Sequence, residues 1–92
     1  MITREQIEEA FGDNRDAFKT QGIDHNITAI TLLRERIPYD VCRSIIGGAS
    51  HDVIYLSDIE DTIPYISEED LAVLADCNVW VNKTVDCLAL FV

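Results

Sequence analysis

The side chains that could bind a soft metal ion or act as a nucleophile are two histidines, His25 and His51, and three cysteines, Cys42, Cys77 and Cys87. No pair of them has a spacing that zinc sites use, such as two cysteines separated by two residues. A catalytic cysteine needs a neighbouring base that a third group orients. Cys42 instead falls on the predicted buried face of a helix, where a thiol is inert. We therefore predict no metal, no cofactor and no enzymatic activity.

Carboxylates outnumber basic side chains in this sequence. Residues 1–50 hold eight acids and six bases, net −2, whereas residues 51–92 hold nine acids and one base, net −8. Apolar residues alternate with the acids of the second half, so we expect these charges on a folded surface rather than on a disordered tail. Eight of the acids form a run without lysine or arginine: Asp52, Asp58, Glu60, Asp61, Glu68, Glu69, Asp70 and Asp76.

Helix capping explains part of this acidity. Short helices favour acids in their first turn, next to the positive end of the helix dipole. Three predicted helix starts carry the capping-box pattern: Thr3 with Gln6, Ser57 with Glu60 and Ser67 with Asp70. Capping does not explain the lack of bases, because ordinary soluble surfaces mix both signs. We therefore predict that the eight acids form a partner-binding surface, which would attract cationic surfaces and repel nucleic acids and anionic membranes.

An alternative, anion-binding site is indicated by the only basic cluster, Arg34, Arg36 and Arg43. Together with the glycine-rich segment 47–50, these arginines could bind the phosphates of a small nucleotide. That segment lacks the phosphate-loop patterns and precedes a strand instead of opening a helix, which favours a helix end followed by a turn. The arginines could also pair with neighbouring acids or face a helix C-terminus.

The elements that position these side chains follow from hydrophobic spacing and turn residues. The predicted helices span about residues 4–20, 25–36, 38–46, 58–63 and 68–76. The predicted strands are 53–56 and the two arms of a C-terminal β-hairpin, 78–82 and 87–92. The order predicts a single compact α+β domain over residues 1–92. About three N-terminal helices would pack with a small, mostly antiparallel sheet of about three strands, and two short helices would precede the hairpin.

The hairpin contains the only tryptophan, Trp80, between Val79 and Val81. Because side chains alternate along a strand, either Trp80 or the two valines face outward unless both faces of the sheet are covered. The outer face of the hairpin is therefore the second candidate for a partner surface.

Targeting signals are missing from the sequence. It begins Met1-Ile2-Thr3-Arg4 without the apolar segment of a signal peptide, and its apolar runs are too short to span a bilayer. An odd number of cysteines favours reduced thiols. We therefore expect a cytoplasmic protein, in the host cytoplasm if a phage encodes it.

In size and charge the chain is similar to phage-encoded inhibitors of host defence, such as anti-CRISPR proteins and DNA mimics, although no motif carries the likeness. This predicts a non-enzymatic inhibitor that docks its acidic surface on a basic, nucleic-acid-binding protein, without binding nucleic acid or membrane itself. One alternative is an oligomeric module that sequesters a small nucleotide or anion. The other is an antitoxin or immunity-type protein with a basic toxin as its target. A homodimer is compatible with each, since an exposed strand edge can pair with a second copy.

Overall fold

The computed structural model of the protein describes residues 1–11, 23–50 and 52–91. The helices in these ranges are α1 (Arg4–Phe11), α2 (Ile23–Arg36), α3 (Ile59–Thr62) and α4 (Glu68–Asp76). The strands are β1 (Gly48–Ser50), β2 (Val53–Asp58), β3 (Trp80–Asn82) and β4 (Cys87–Phe91). One 3-10 turn, Ile63–Tyr65, continues α3. The predicted α+β fold, with two short helices before a C-terminal hairpin, is confirmed.

The four strands form one antiparallel sheet in the order β1-β2-β4-β3. The last strand, β4, therefore lies between β2 and β3, and the sheet edges are β1 and β3. As a central strand, β4 is paired on both sides. Its residues Leu88, Ala89 and Leu90 are all buried, which explains why this strand has a continuous apolar sequence instead of alternating with polar residues.

The helices cover one face of the sheet and form the core with it. Each of the four described helices contributes to this core: Ile7 and Phe11 from α1, Ala29 and Leu33 from α2, Ile59 from α3, and Leu71 and Leu74 from α4. The sheet contributes Ile54, Leu56, Val81, Leu88 and Leu90 to the same cluster.

Trp80 lies on the opposite face of the sheet from Val81, as strand alternation requires. Its indole stacks on the ring of Phe91, with centroids 5.0 Å apart and planes at 19°. Trp80 is nevertheless only 6% exposed. The valines therefore face the helices, and the tryptophan is covered on the other side, so the hairpin does not present Trp80 as an open recognition residue.

The third N-terminal helix, predicted over 38–46, is absent from the structure, so the described residues contain two N-terminal helices. After α2 the chain makes a single turn, in which the N–H groups of Val41 and Cys42 both donate to the carbonyl of Pro38. The two glycines after this segment enter strand β1, and they do not cap a helix. Strand β1 was not predicted, so the sheet has four strands instead of the three expected. The predicted part of the first helix beyond Phe11 lies outside the described residues.

Two of the three capping boxes are confirmed. In the first, Thr3 N donates to Gln6 Oε1 at 2.8 Å and Gln6 N to Thr3 Oγ1 at 3.2 Å. In the second, Ser67 N donates to Asp70 Oδ2 at 3.0 Å and Asp70 N to Ser67 Oγ at 3.2 Å. The prediction for Ser57 is wrong.

A β-bulge explains the failure at Ser57. Between the register pairs Tyr55↔Ala89 and Asp58↔Cys87, two residues of β2 stand opposite one residue of β4. Both bulged residues, Leu56 and Ser57, are consequently buried. The Ser57 hydroxyl then points inward instead of toward the start of α3, whose N-cap is Asp58 without a side-chain bond.

No helix within the described ranges has the length and apolar character needed to cross a membrane.

Candidate partner-binding surface

The structure distributes the eight acids predicted to bind a partner over three places. Asp52 precedes β2, Asp58 ends β2, and Glu60 and Asp61 lie in α3. The other four belong to α4: Glu68, Glu69 and Asp70 in its first turn and Asp76 at its end. All except Asp70 are exposed or half-exposed.

A small recess collects three of these acids together with one that the sequence analysis did not select. Asp58, Glu60 and Asp61 line it with Val85 and Asp86, and its volume is about 150 Å³. We call these five residues the acidic recess. Asp86 belongs to the hairpin turn, which lies beside α3 because Asp58 pairs with Cys87 and because Ile59 N donates to the carbonyl of Asp86 at 3.2 Å. This long-range pairing carries no local sequence signal.

The carboxylates of the acidic recess are crowded enough to disturb one another. The pKa of Asp58 is raised above its ordinary value, first because burial disfavours the charged form and then because of the neighbouring charges of Asp61, Asp86 and Glu60. Like charges in this arrangement repel one another. The site would therefore be stabilised by an incoming cation.

One cation from α1 contacts the recess. Both terminal nitrogens of Arg4 donate to the carboxylate of Asp86, one of them at 3.1 Å, while its Nε lies 3.5 Å from Glu8 Oε1. The hydrogen bond from Arg4 is the main reason that the pKa of Asp86 is lowered. The pair of Arg4 with Asp86 is the one ion pair that the described residues form in the recess. Within those residues, Asp58, Glu60 and Asp61 have no cationic partner.

Asp70 is used inside the protein. Its side chain is only 9% exposed. One oxygen of its carboxylate accepts hydrogen bonds from the backbone of Ser67 and from Arg36. Glu68 is partly engaged as well, because its Oε1 accepts a hydrogen bond of 2.9 Å from Gln6 Nε2 and so ties α1 to α4. We therefore leave Asp70 out of the surface that a partner could contact.

Of the three arginines of the alternative anion site, Arg34 and Arg43 line one concavity, and Arg36 lies apart. Arg34 donates to the carbonyls of Ile37, at 2.9 Å, and Arg43, at 3.2 Å. Its guanidinium also lies 5.5 Å from the ring centre of Tyr39. Arg36 pairs with Asp70. Within the described part of the chain, only Arg43 keeps its guanidinium out of internal hydrogen bonds and ion pairs.

A second concavity lies between α2 and the segment before β1. Its walls include Ile30, Arg34 and Glu35 from α2 and Arg43, Ile45 and Ile46 from the segment, and its volume is about 390 Å³. We call it the α2 groove. Its composition, apolar with charges of both signs, differs from that of the acidic recess.

The cysteines are free thiols in the structure. Cys77 and Cys87 are buried, and burial is the main reason that the pKa of each is raised, which disfavours the reactive thiolate. Cys42 is half-buried, and its Sγ donates to the carbonyl of Ser44. His51 lies outside the described residues. Across the described ranges, no three histidine, cysteine or acidic side chains converge in a way that could hold a metal ion.

The chain was compared with protein-family models, with curated proteins and with solved structures, and none of the three comparisons gives a match.

Proposed function

We propose that this protein is a small non-enzymatic inhibitor that docks an acidic surface on a basic surface of another protein. The acidic recess is the observation that supports this most strongly. It holds four carboxylates in a small volume, and the pKa of Asp58 is raised first by burial and then by the charges of its neighbours. A lysine or arginine of a partner entering the recess would relieve that repulsion, so binding energy is available there without any rearrangement of the fold.

The acids are also held in place before a partner arrives. Asp58 ends a strand that is paired on both sides, and Glu60 and Asp61 follow it directly in α3. Thr62 fixes this strand–helix junction, because its Oγ1 donates to the carbonyl of Asp58 at 2.7 Å. Charges that are already positioned cost less conformational entropy on binding than charges on a flexible tail.

The net charge of −10 favours basic proteins as partners. Such a field repels nucleic acids and speeds the encounter with basic proteins, so association should be fast and sensitive to salt. Basic proteins that normally bind DNA or RNA fit this requirement, as in inhibition by DNA mimicry or of the anti-CRISPR kind. An antitoxin or immunity-type role would use the same surface against a basic toxin. The identity of a captured partner separates the two.

Sequestration of a small nucleotide or anion is the less supported alternative. It needs converging cations, and two of its three arginines, Arg34 and Arg36, already serve internal carbonyls and Asp70.

The experiment compares two double charge reversals that change the net charge equally. Glu60→Lys with Asp61→Lys alters the acidic recess, while Glu5→Lys with Glu9→Lys alters exposed acids of α1. The immobilised protein is exposed to a lysate, and the captured proteins are identified by mass spectrometry. We expect a basic partner that the wild type and the α1 variant retain, that the recess variant loses, and that elutes as salt is raised.

Two results would contradict this proposal. One is a partner that binds the recess variant as well as the wild type. The other is binding that does not weaken with salt. Circular dichroism of both variants shows whether a loss of capture reflects unfolding.

A further inference from the structure

The α2 groove is bordered by apolar side chains that the fold leaves uncovered. The buried stripe of α2 runs through Ala29 and Leu33. Ile27, two residues before Ala29 and therefore nearly on the opposite side of the helix, is exposed. Ile30 lines the groove from the same helix, and Ile46 lines it from the opposite wall. Ile27 and Ile30 are neighbours on the helix surface because they are three residues apart.

Tyr39 extends this apolar region. Its ring is exposed, and it stands beside the Arg34 guanidinium, which also holds the carbonyl of Arg43. Exposed apolar side chains that cluster next to a concavity mark an interaction surface more often than isolated ones do. The apolar side chains beside the α2 groove therefore mark a surface that another molecule could cover.

The charges of this region are nearly balanced, unlike those of the whole chain. Segment 34–43 carries three bases and two acids, in a protein with a net charge of −10. Two copies of such a chain repel each other wherever their acidic surfaces meet. They can approach closely only where the local charge is small and both signs are present.

Two exposed side chains of opposite charge lie on opposite walls of the α2 groove, although the helical wall also carries Arg34. Glu35 belongs to the helical wall and Arg43 to the wall that leads to β1. Glu35 is exposed, with only a loose contact of 3.8 Å to Arg36, and the Arg43 guanidinium makes no internal bond within the described residues. Both charges are therefore available to another molecule.

We propose that a second copy of this chain docks on the α2 groove, with a two-fold axis running along it. Rotation about that axis places the helical wall of one copy against the β1-side wall of the other. Glu35 of each copy then faces Arg43 of the other, twice by symmetry, while Ile27, Ile30, Tyr39 and Ile46 are buried between them. An isologous interface of this kind needs a patch that is complementary to itself, and the exposed charges of Glu35 and Arg43 on opposite walls meet that need electrostatically.

This dimer does not depend on the proposed function, because the α2 groove and the acidic recess share no residue. Each copy would keep its recess, so the dimer would present two.

Sedimentation equilibrium over about a hundredfold range of protein concentration measures the association by mass action. The wild type should exceed the monomer mass of 10.4 kDa and approach twice that value. Ile46→Asp should weaken the dimer about tenfold or more, because it puts a charge into the apolar centre of the interface. Val73→Asp is the matched control, since Val73 on α4 is similarly exposed, 40% against 44% for Ile46, and should leave the mass unchanged.

A charge exchange tests the two-fold arrangement itself. Glu35→Arg alone and Arg43→Glu alone should each weaken the dimer, because each sets like charges opposite one another. The double variant should restore it. A wild type that stays a monomer at every concentration overturns the proposal. So does a dimer that Ile46→Asp leaves intact, which would place the contact elsewhere, for instance at a sheet edge, and so does a double variant that is no better than the single ones.

Discussion

Arg36 Nε lies 3.2 Å from Asp70 Oδ2 and joins α2 to α4. The same carboxylate oxygen accepts the backbone N–H of Ser67 at 3.0 Å. A single buried oxygen thus caps one helix and ties it to another. The sequence analysis placed Arg36 in the anion-binding site and Asp70 in the acidic partner-binding surface. In the structure the two side chains form an ion pair with each other. Asp70, one of the eight acids predicted to bind a partner, therefore stabilises the fold.

Replacement of Asp70 should lower the free energy of unfolding. Asp70→Asn removes the charge from a capping box and from the ion pair with Arg36, whose other acidic contact, Glu35 at 3.8 Å, is loose. We expect a loss of about 1–3 kcal/mol in the free energy of unfolding. Denaturant titration followed by the fluorescence of Trp80 measures it. Glu69→Gln, an exposed neighbour in the same turn, should change stability by less than about 0.5 kcal/mol. Equal effects of the two substitutions would contradict the role assigned to Asp70.

The stability that Asp70 contributes should depend on pH, and the direction follows from its pKa. Burial raises the pKa of Asp70, but the Ser67 backbone and Arg36 more than offset it, so its pKa lies below the ordinary value of 3.8. A lowered pKa in the folded state stabilises the protein above the unfolded value and loses that contribution as pH falls through the folded one. The gap in unfolding free energy between wild type and Asp70→Asn should therefore be full at neutral pH and shrink below about pH 4. A gap that stays constant into acid would contradict this.

Asp58 should behave in the opposite way. Its pKa is raised, so its charged form is disfavoured in the folded protein, and the wild type gains stability at this site as pH falls through the folded pKa. Asp58→Asn should therefore stabilise the domain at neutral pH, by a few tenths of a kcal/mol because the group is exposed. No capping bond is lost, since the Asp58 side chain makes none.

Thermal unfolding at low and high salt measures the effect of Asp58→Asn. The gain should shrink in high salt, which screens the repulsion from Glu60, Asp61 and Asp86, and it should disappear in acid. Asp52→Asn is the control, because it removes an exposed acid outside the acidic recess. Destabilisation by Asp58→Asn at neutral pH would show that the carboxylates are not in repulsive contact.

Local signals predicted more of this protein than long-range ones. The capping boxes at Thr3 and Ser67 depend on residues three apart, and both form as the sequence indicates. The acidic recess depends on the register of β2 against β4, which brings Asp86 beside Asp58 across nearly thirty residues. The bulge at Ser57 belongs to the same register. Neither has a local pattern, so the sequence identified most of the acids of the recess but not the recess itself.

A chain of two hydroxyl groups fixes the junction between β2 and α3, where Asp58 lines the acidic recess. Thr62 Oγ1 donates its only proton to the carbonyl of Asp58 at 2.7 Å, so the buried Ser57 hydroxyl, also 2.7 Å away, must be the donor to Thr62. Thr62→Val keeps the shape but leaves Ser57 without this acceptor. We expect it to cost about 1–3 kcal/mol in unfolding free energy.

The matched control for this substitution is Thr28→Val. Thr28 makes the same bond to a carbonyl four residues earlier, at 2.9 Å to Asp24, but on an exposed helix surface. It should cost less than about 0.5 kcal/mol. Adding Ser57→Ala to Thr62→Val should cost less than Ser57→Ala costs in the wild type, because the unsatisfied hydroxyl is then removed. Additive effects in this double-mutant cycle, or equal effects of the two threonine substitutions, would contradict the direction assigned to these hydrogen bonds.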